Sequence, residues 1–171
     1  MSNHINRINH RKRYAFTRVG VLAACAAIMV SCASAPSGSQ TKAGDQRQNA
    51  YMAHIREEGY APTISNDGNI TFKREGLTYF ILREKDDPTV LAVTLPNIKT
   101  LNTDADKAKA ADVISRVNIE TKVAKAYLVR QNQRVNIAVE MYLENPDHFA
   151  LLFKRMLSAI DTAREKLNSY W

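Results

Sequence analysis

Residues 135–143, VNIAVEMYL, alternate in character: Val135, Ile137, Val139 and Met141 fall on one side of an extended strand, and Asn136, Ala138, Glu140 and Tyr142 on the other. Successive strand side chains point to opposite faces, so the pattern demands a sheet with one buried and one solvated side. A helix start follows at once. Asn145 is a capping residue, Pro146 tolerates the first helical position because its missing N–H has no partner there, and Asp147 complements the helix dipole. Phe149, Leu152, Phe153, Met156, Ile160, Ala163 and Leu167 then recur at helical spacing. This helix is expected to cover the buried side of the sheet.

The upstream chain supplies the rest of such a domain. Residues 45–60 read as a helix, with Tyr51, Met52 and Ile55 on one face and Gly59 placed to stop it. Asn66-Asp67-Gly68-Asn69 is a turn signal before the alternating run Ile70 to Arg74. Glu75-Gly76 joins that run to Leu77–Arg83, forming a hairpin. Leu77–Arg83 is apolar nearly throughout, the pattern of a central strand covered on both faces. Thr89–Leu95 is a third strand, stopped by Pro96. Thr103-Asp104 can cap a helix with Asp106 near its start, and Ala108, Ala111, Ile114 and Val117 form its apolar stripe. Lys125–Arg130 precedes the strand of residues 135–143 through a turn at Gln131-Asn132-Gln133. The order α-β-β-β-α-β-β-α predicts an α+β two-layer domain: an antiparallel five-stranded sheet covered by helices on one face.

The first 44 residues read differently. Residues 1–18 are polar and carry Arg7, Arg11, Lys12, Arg13 and Arg18. An apolar run, Val19–Val30, follows, and then small residues around Cys32. That is the layout of a secretory signal, and the run is shorter than the ~20 residues of a membrane-spanning helix. Met29-Val30-Ser31-Cys32 resembles the lipobox of bacterial lipoproteins, which implies that Cys32 becomes the lipid-bearing N-terminus. Met29 departs from the usual leucine of that motif. Leu22-Ala23-Ala24-Cys25 matches in letters but leaves only Val19–Ala24 as apolar run, and Ala33-Ser34-Ala35 also fits plain secretory cleavage. A lone thiol in an exported protein needs a reason, and acylation of Cys32 supplies one. Residues 33–44, ASAPSGSQTKAG, have tether composition. The division is thus 1–31 signal peptide, 32–44 lipidated cysteine and flexible tether, 45–171 domain. In lipoproteins of Gram-negative bacteria, Ala33 after the cysteine implies the periplasmic face of the outer membrane, with the membrane itself a partner through Cys32.

The leader also accounts for the charge. The chain has 24 cations and 17 acids, a net of +7, but residues 1–31 hold five of the cations and no acid. What remains is nearly balanced, with scattered pairs such as Lys73-Arg74 and Lys154-Arg155 rather than a clustered basic face, which argues against nucleic-acid binding.

The domain order and particular residues resemble the YbjN-like branch of the type III secretion chaperone-like fold. These are Asp67-Gly68 before Ile70 and Phe72, Tyr79 in the next strand, and VISRVNIETKVAKAYLV over residues 113–129, in which Asn118 ends the helix and Lys125-Ala126 opens the next strand. The resemblance spans about residues 45–168 and implies a module that binds segments of partner proteins, often as a dimer. The lipoprotein leader departs from the cytoplasmic members, so their partners do not carry over.

No cofactor is expected. The six glycines do not cluster into a phosphate loop, and G-x-S-x-G, HExxH and paired CxxC are absent. His54 with Glu57, and His148 with Glu144, each offer half a metal site, short of the three or four convergent ligands a site requires. Glu57-Glu58 and Asp86-Asp87 read as solvated surface. The expectation is therefore a non-enzymatic, envelope-tethered binding module whose contact surface is Tyr127, Asn136, Glu140 and Tyr142 or the edge of the hairpin. An envelope hydrolase with an unrecognised site is the alternative, and a cleft lined by His54 or the carboxylates would favour it.

Overall fold

The computed structural model describes residues 38–171 except 132, and the side chains of these except residues 38–45 and 83. The leader, Cys25, Cys32 and the first part of the tether lie outside the described residues. Nine elements follow in order: α1 (Gly38–Glu57), β1 (Thr63–Ile64), β2 (Ile70–Arg74), β3 (Leu77–Arg83), β4 (Val90–Thr100), α2 (Asp104–Glu120), β5 (Lys125–Val129), β6 (Arg134–Tyr142) and α3 (His148–Tyr170). The domain is α+β, as its order predicts, but the sheet has six strands rather than five, all antiparallel, in the order β1-β2-β3-β4-β6-β5. The extra strand, β1, is two residues long and too short to show periodicity. It pairs through Thr63↔Thr71 and Ile64↔Ile70, with the Thr63 and Thr71 hydroxyls 2.8 Å apart.

α1 begins at Gly38, upstream of Asp45, and takes in residues 38–44 of the stretch read as a tether, where Gln40, Lys42 and Ala43 are good helix formers. Gly59 ends the helix with φ +87°. Its N–H donates to the Arg56 carbonyl (2.9 Å) and the Tyr60 N–H to the Ile55 carbonyl (3.1 Å), the paired bonds of a glycine-terminated helix. The hairpin turn has Glu75 at φ 52° and Gly76 at φ 77°, the two positive values that match the twist of the flanking strands.

β3 lies inside the sheet, but only one of its faces is covered: Tyr79 and Ile81 are buried and Leu82 is exposed. Pro96 does not stop β4. The register moves from Leu95↔Ile137 to Lys99↔Val135, so the proline sits in an irregularity where no ladder N–H is required. Asn97, at φ 57°, donates its N–H there to the Asn136 Oδ1 at 2.9 Å.

α2 starts as expected. The Thr103 hydroxyl accepts from the Asp106 N–H (3.1 Å) while the Asp106 carboxylate accepts from the Thr103 N–H (3.0 Å). Its buried stripe, however, is Ala110, Val113 and Val117, with Ala108 and Ala111 exposed. A strict three-residue step falls behind the helix by about 60° each time, so Ala108 and Val117 stand about half a turn apart. Asn118 does not end the helix, which runs on to Glu120. α3 is counted from His148. The tight turn before it is capped by Asn145, whose Oδ1 accepts from the Asp147 N–H at 2.9 Å.

All three helices lie on one face of the sheet. Phe149, Phe153, Met156, Ile160, Ala163 and Leu167 of α3 are buried in one core with Ile70, Phe72, Tyr79, Ile81, Val93 and Ile137. Each such large side chain contributes about 1.5–3 kcal/mol of burial free energy against its ordering entropy. Among the described residues, no helix is long and apolar enough to cross a membrane.

Candidate functional site

One-sided helix cover leaves the other face of the sheet without a layer from α1, α2 or α3. The strand register defines what stands there. One row crosses every strand: Thr63, Thr71, Phe80, Thr94, Ala138 and Lys125. The next holds Leu82, Ala92 and Glu140, and beyond these Asn136 faces Tyr127 and Val90 faces Tyr142. Small side chains occupy the middle, where Ala92, Thr94 and Ala138 are buried. The Thr94 hydroxyl has no hydrogen-bond partner among the described residues. Val123, Lys125, Tyr127, Ala138 and Glu140 line a depression at the β5–β6 end of this face.

The four residues expected to make contact all fall here, with different duties. Glu140 is exposed and Tyr142 is 74% exposed. Tyr127 is half-buried at the wall of the depression. Asn136 spends its carbonyl oxygen on the Asn97 N–H and so supports the irregularity in β4. Three residues of the depression, Val123, Lys125 and Ala138, are not among the four. Val123 precedes β5 and has no period to join, but it is 53% exposed. The Lys125 ammonium donates to the carbonyls of Asn118 and Thr121, both at 3.1 Å, which serves the C-terminal end of α2.

Both sheet edges are blunted. On β5, the Asn118 side chain accepts from the Ala126 N–H (2.8 Å) and donates to its carbonyl (3.0 Å), and the Thr121 hydroxyl donates to the Ala124 carbonyl (2.8 Å). By strand alternation only Leu128 of β5 is left facing outward. At the opposite edge the Ser65 N–H donates to the Asn69 carbonyl (2.8 Å), so the backbone of Thr63 faces β2 and that of Ile64 faces out, as does Pro62 two residues earlier, which has no N–H at all. An added strand therefore finds the β5 edge largely taken, and at the opposite side only Ile64 and the part of β2 beyond Thr71 that β1 does not reach.

The histidine and the carboxylates sort as follows. His54 packs edge-on to Phe149 and Phe153, with ring centroids 5.8 and 5.7 Å away. Its Nδ1 lies 3.6 Å from Glu57 and its Nε2 3.7 Å from Glu58, whose other oxygen pairs with Lys154 at 2.8 Å. A shallow groove between α1 and the start of α3 is lined by His54, Glu57 and Asp147 over a floor of alanines. His148 is exposed. Among the described residues, no group of three or more His, Cys, Asp or Glu side chains could hold a metal ion. Asp87 accepts from the Thr89 hydroxyl (2.6 Å) and N–H (2.9 Å), and these two bonds hold its carboxyl below the ordinary range. On the far side of the domain Asp161 binds Arg74 (2.7 Å) and the Tyr79 hydroxyl (3.2 Å). Burial, and then the Asp161 charge, raise the Tyr79 phenol. This cluster ties the β2–β3 hairpin to α3.

No family profile matches the chain, and no curated protein does. Among solved structures, YbjN of E. coli, a candidate transcription regulator, matches with a TM-score of 0.55 at 12% identity, over 72% of this chain and 92% of that one. The Yersinia pestis type III secretion chaperone SycH, solved in complex with a stable fragment of YscM2, gives a TM-score of 0.44 at 9% identity over 68% and 98%. At that score the second likeness carries nothing further. The first shows that this chain shares its fold with YbjN.

Proposed function

We propose that this chain is a lipid-anchored protein of the cell envelope whose domain binds a protein partner on the helix-free face of its sheet, without catalysing a reaction. The observation that carries the binding surface is the contrast between edges and face. Asn118, Thr121 and Pro62 take away several of the backbone positions a partner strand would use, while Glu140 and Tyr127 line a depression with Ala138 and exposed Tyr142 stands two residues beyond Glu140 on the same face. Lys125 is drawn to the carbonyls of α2, so Glu140 is left as the charge a partner has to answer. A partner segment with an apolar side chain over Ala138 and a cation near Glu140 fits this arrangement. The anchor rests on the leader and Cys32.

A photo-crosslinking side chain at Tyr142 tests the surface. In membranes it is expected to give one adduct that Glu140→Lys abolishes, while the same group at exposed Ser158 on α3 gives none. Equal labelling at both positions, or none at Tyr142, would refute the surface. An adduct of twice the chain mass would identify the partner as a second copy. For the anchor, Cys32→Ala is expected to move the protein into the soluble fraction.

The groove beside His54 favours a second reading, an envelope hydrolase, because it brings an imidazole and two carboxylates to one concavity. Hydrolysis of ester or peptide substrates that is lost in His54→Gln would establish it.

A further inference from the structure

A separate recess opens between α1 and the ends of β3 and β4, with apolar walls from Ile70, Ile81, Pro88 and Val90 and with Arg47 at its mouth. Arg47 is half-buried and held rigidly. Its Nη1 donates to the Leu143 carbonyl at 2.6 Å and its Nη2 to the Glu144 carbonyl at 2.5 Å. Both acceptors are neutral. They orient the guanidinium without cancelling its charge, and among the described residues no carboxylate lies within ion-pair distance of it.

Two acids stand nearby without touching the guanidinium: Asp87, whose carboxyl the Arg47 charge helps to lower, and Glu84, which lines the recess. Asp87 accepts from the Thr89 hydroxyl and N–H, and Glu84 accepts from the Lys85 N–H at 2.9 Å. Gln48 donates to the Gly68 carbonyl at 2.5 Å and does not compete for the arginine. A partly buried cation with no carboxylate in direct contact gains from an anion at the mouth of an apolar cavity. The two carbonyls and the Tyr51 hydroxyl take part of the five N–H donors of the guanidinium and leave others for a ligand.

We propose that this recess binds a small apolar carboxylate, with its branched aliphatic body against Ile81 and Val90 and its carboxylate on Arg47. The recess is narrow, so a body of a few carbons fits and a long acyl chain does not.

Titration of the full chain with isovalerate and with isovaleramide, followed by the methyl resonances of Ile81, Leu82 and Val90, tests this. The two probes share a body and differ in charge. Isovalerate is expected to shift these methyls saturably within tens of millimolar, the range suited to so few atoms. Isovaleramide is expected to bind about tenfold more weakly or worse. Arg47→Gln should level the two probes. Because Arg47 also holds two carbonyls, Val90→Phe serves as the second variant: it fills the recess, leaves the arginine in place, and should abolish the shifts. Equal response to acid and amide, saturable shifts that survive Val90→Phe, or no saturable shift would each overturn the proposal.

Discussion

Asn118 and Ala126 form a closed pair: the side-chain amide of one satisfies both backbone polar groups of the other, at 2.8 and 3.0 Å. A helix residue thereby does for an edge strand what a further strand would do. Asn118→Leu is expected to leave that N–H and carbonyl open, costing about 1–3 kcal/mol in urea unfolding. It should also raise self-association in sedimentation at high concentration, because an uncovered edge is a template for another chain. A variant with unchanged midpoint and unchanged sedimentation would show that the pair does neither.

Phe153 is fully buried and meets Phe72, Phe149, Tyr60 and the edge of His54, with ring centroids between 5.1 and 6.1 Å. Phe153→Ala removes the hub of this cluster and is expected to cost about 3–5 kcal/mol in chemical denaturation. Leu151→Ala, on the same helix but 72% exposed, should stay within about 0.5 kcal/mol of wild type.

The carboxyl of Asp106 is held below its ordinary value by the Thr103 hydroxyl, then by the N–H groups of Thr103 and Asn102. Asp104 is lowered by Lys107 and Asp87 by Thr89. A depressed carboxyl binds its proton later in the folded than in the unfolded chain. Its contribution is therefore full above the ordinary carboxylate value and is lost as pH falls through the depressed one. The urea midpoint should fall between neutrality and about pH 3. Asp106→Asn should show a flatter fall, since the amide oxygen can still accept but does not titrate. An identical slope would remove Asp106 from the account.

Asp161 stands between Arg74 at 2.7 Å and Arg164 at 3.8 Å. Asp161→Asn leaves two guanidiniums facing a neutral group and is expected to cost about 1–3 kcal/mol. The loss should be local. Amide exchange in the β2–β3 hairpin is expected to quicken more than exchange in β4 and β6, and uniform quickening would contradict an anchoring role.

Legibility followed periodicity. The alternation of residues 135–143 and the stripe of Phe149, Phe153, Met156 and Ile160 are each repeated often enough that burial had one solution, and the fold class follows from them. Thr63–Ile64 escaped because two residues carry no period. The expected stripe on α2 holds at Val117 and Ile114 and fails at Ala108 and Ala111, because alanines satisfy almost any helical template and the larger Val113 and Val117 decide the face. Pro96 signals a stop from sequence because the rule against proline in strands holds for regular ladders, and it relaxes in a bulge. The depression needs three segments to meet: Val123 before β5, Lys125 and Tyr127 within it, and Ala138 with Glu140 on β6. Only the strand halves of that set had a local signal. Asn118 stood in the stretch that resembles the YbjN-like proteins, but its reach across to Ala126 is a tertiary fact, invisible from a helix position alone.

The irregularity in β4 has a bearing on which insertions this chain can absorb. Between Leu95↔Ile137 and Lys99↔Val135, three residues of β4 stand opposite Asn136 alone, a surplus of two. An even surplus preserves sidedness, so Lys99 returns to the helix side, where its ammonium lies 5.1 Å from the Trp171 ring centroid. Gaining or losing a single residue here would turn Lys99 toward the open face and send Thr100 in its place. Length changes at this point are therefore tolerable only in pairs, and the spacing from Leu95 to Lys99 acts as a parity lock that keeps the end of α3 seated on the sheet.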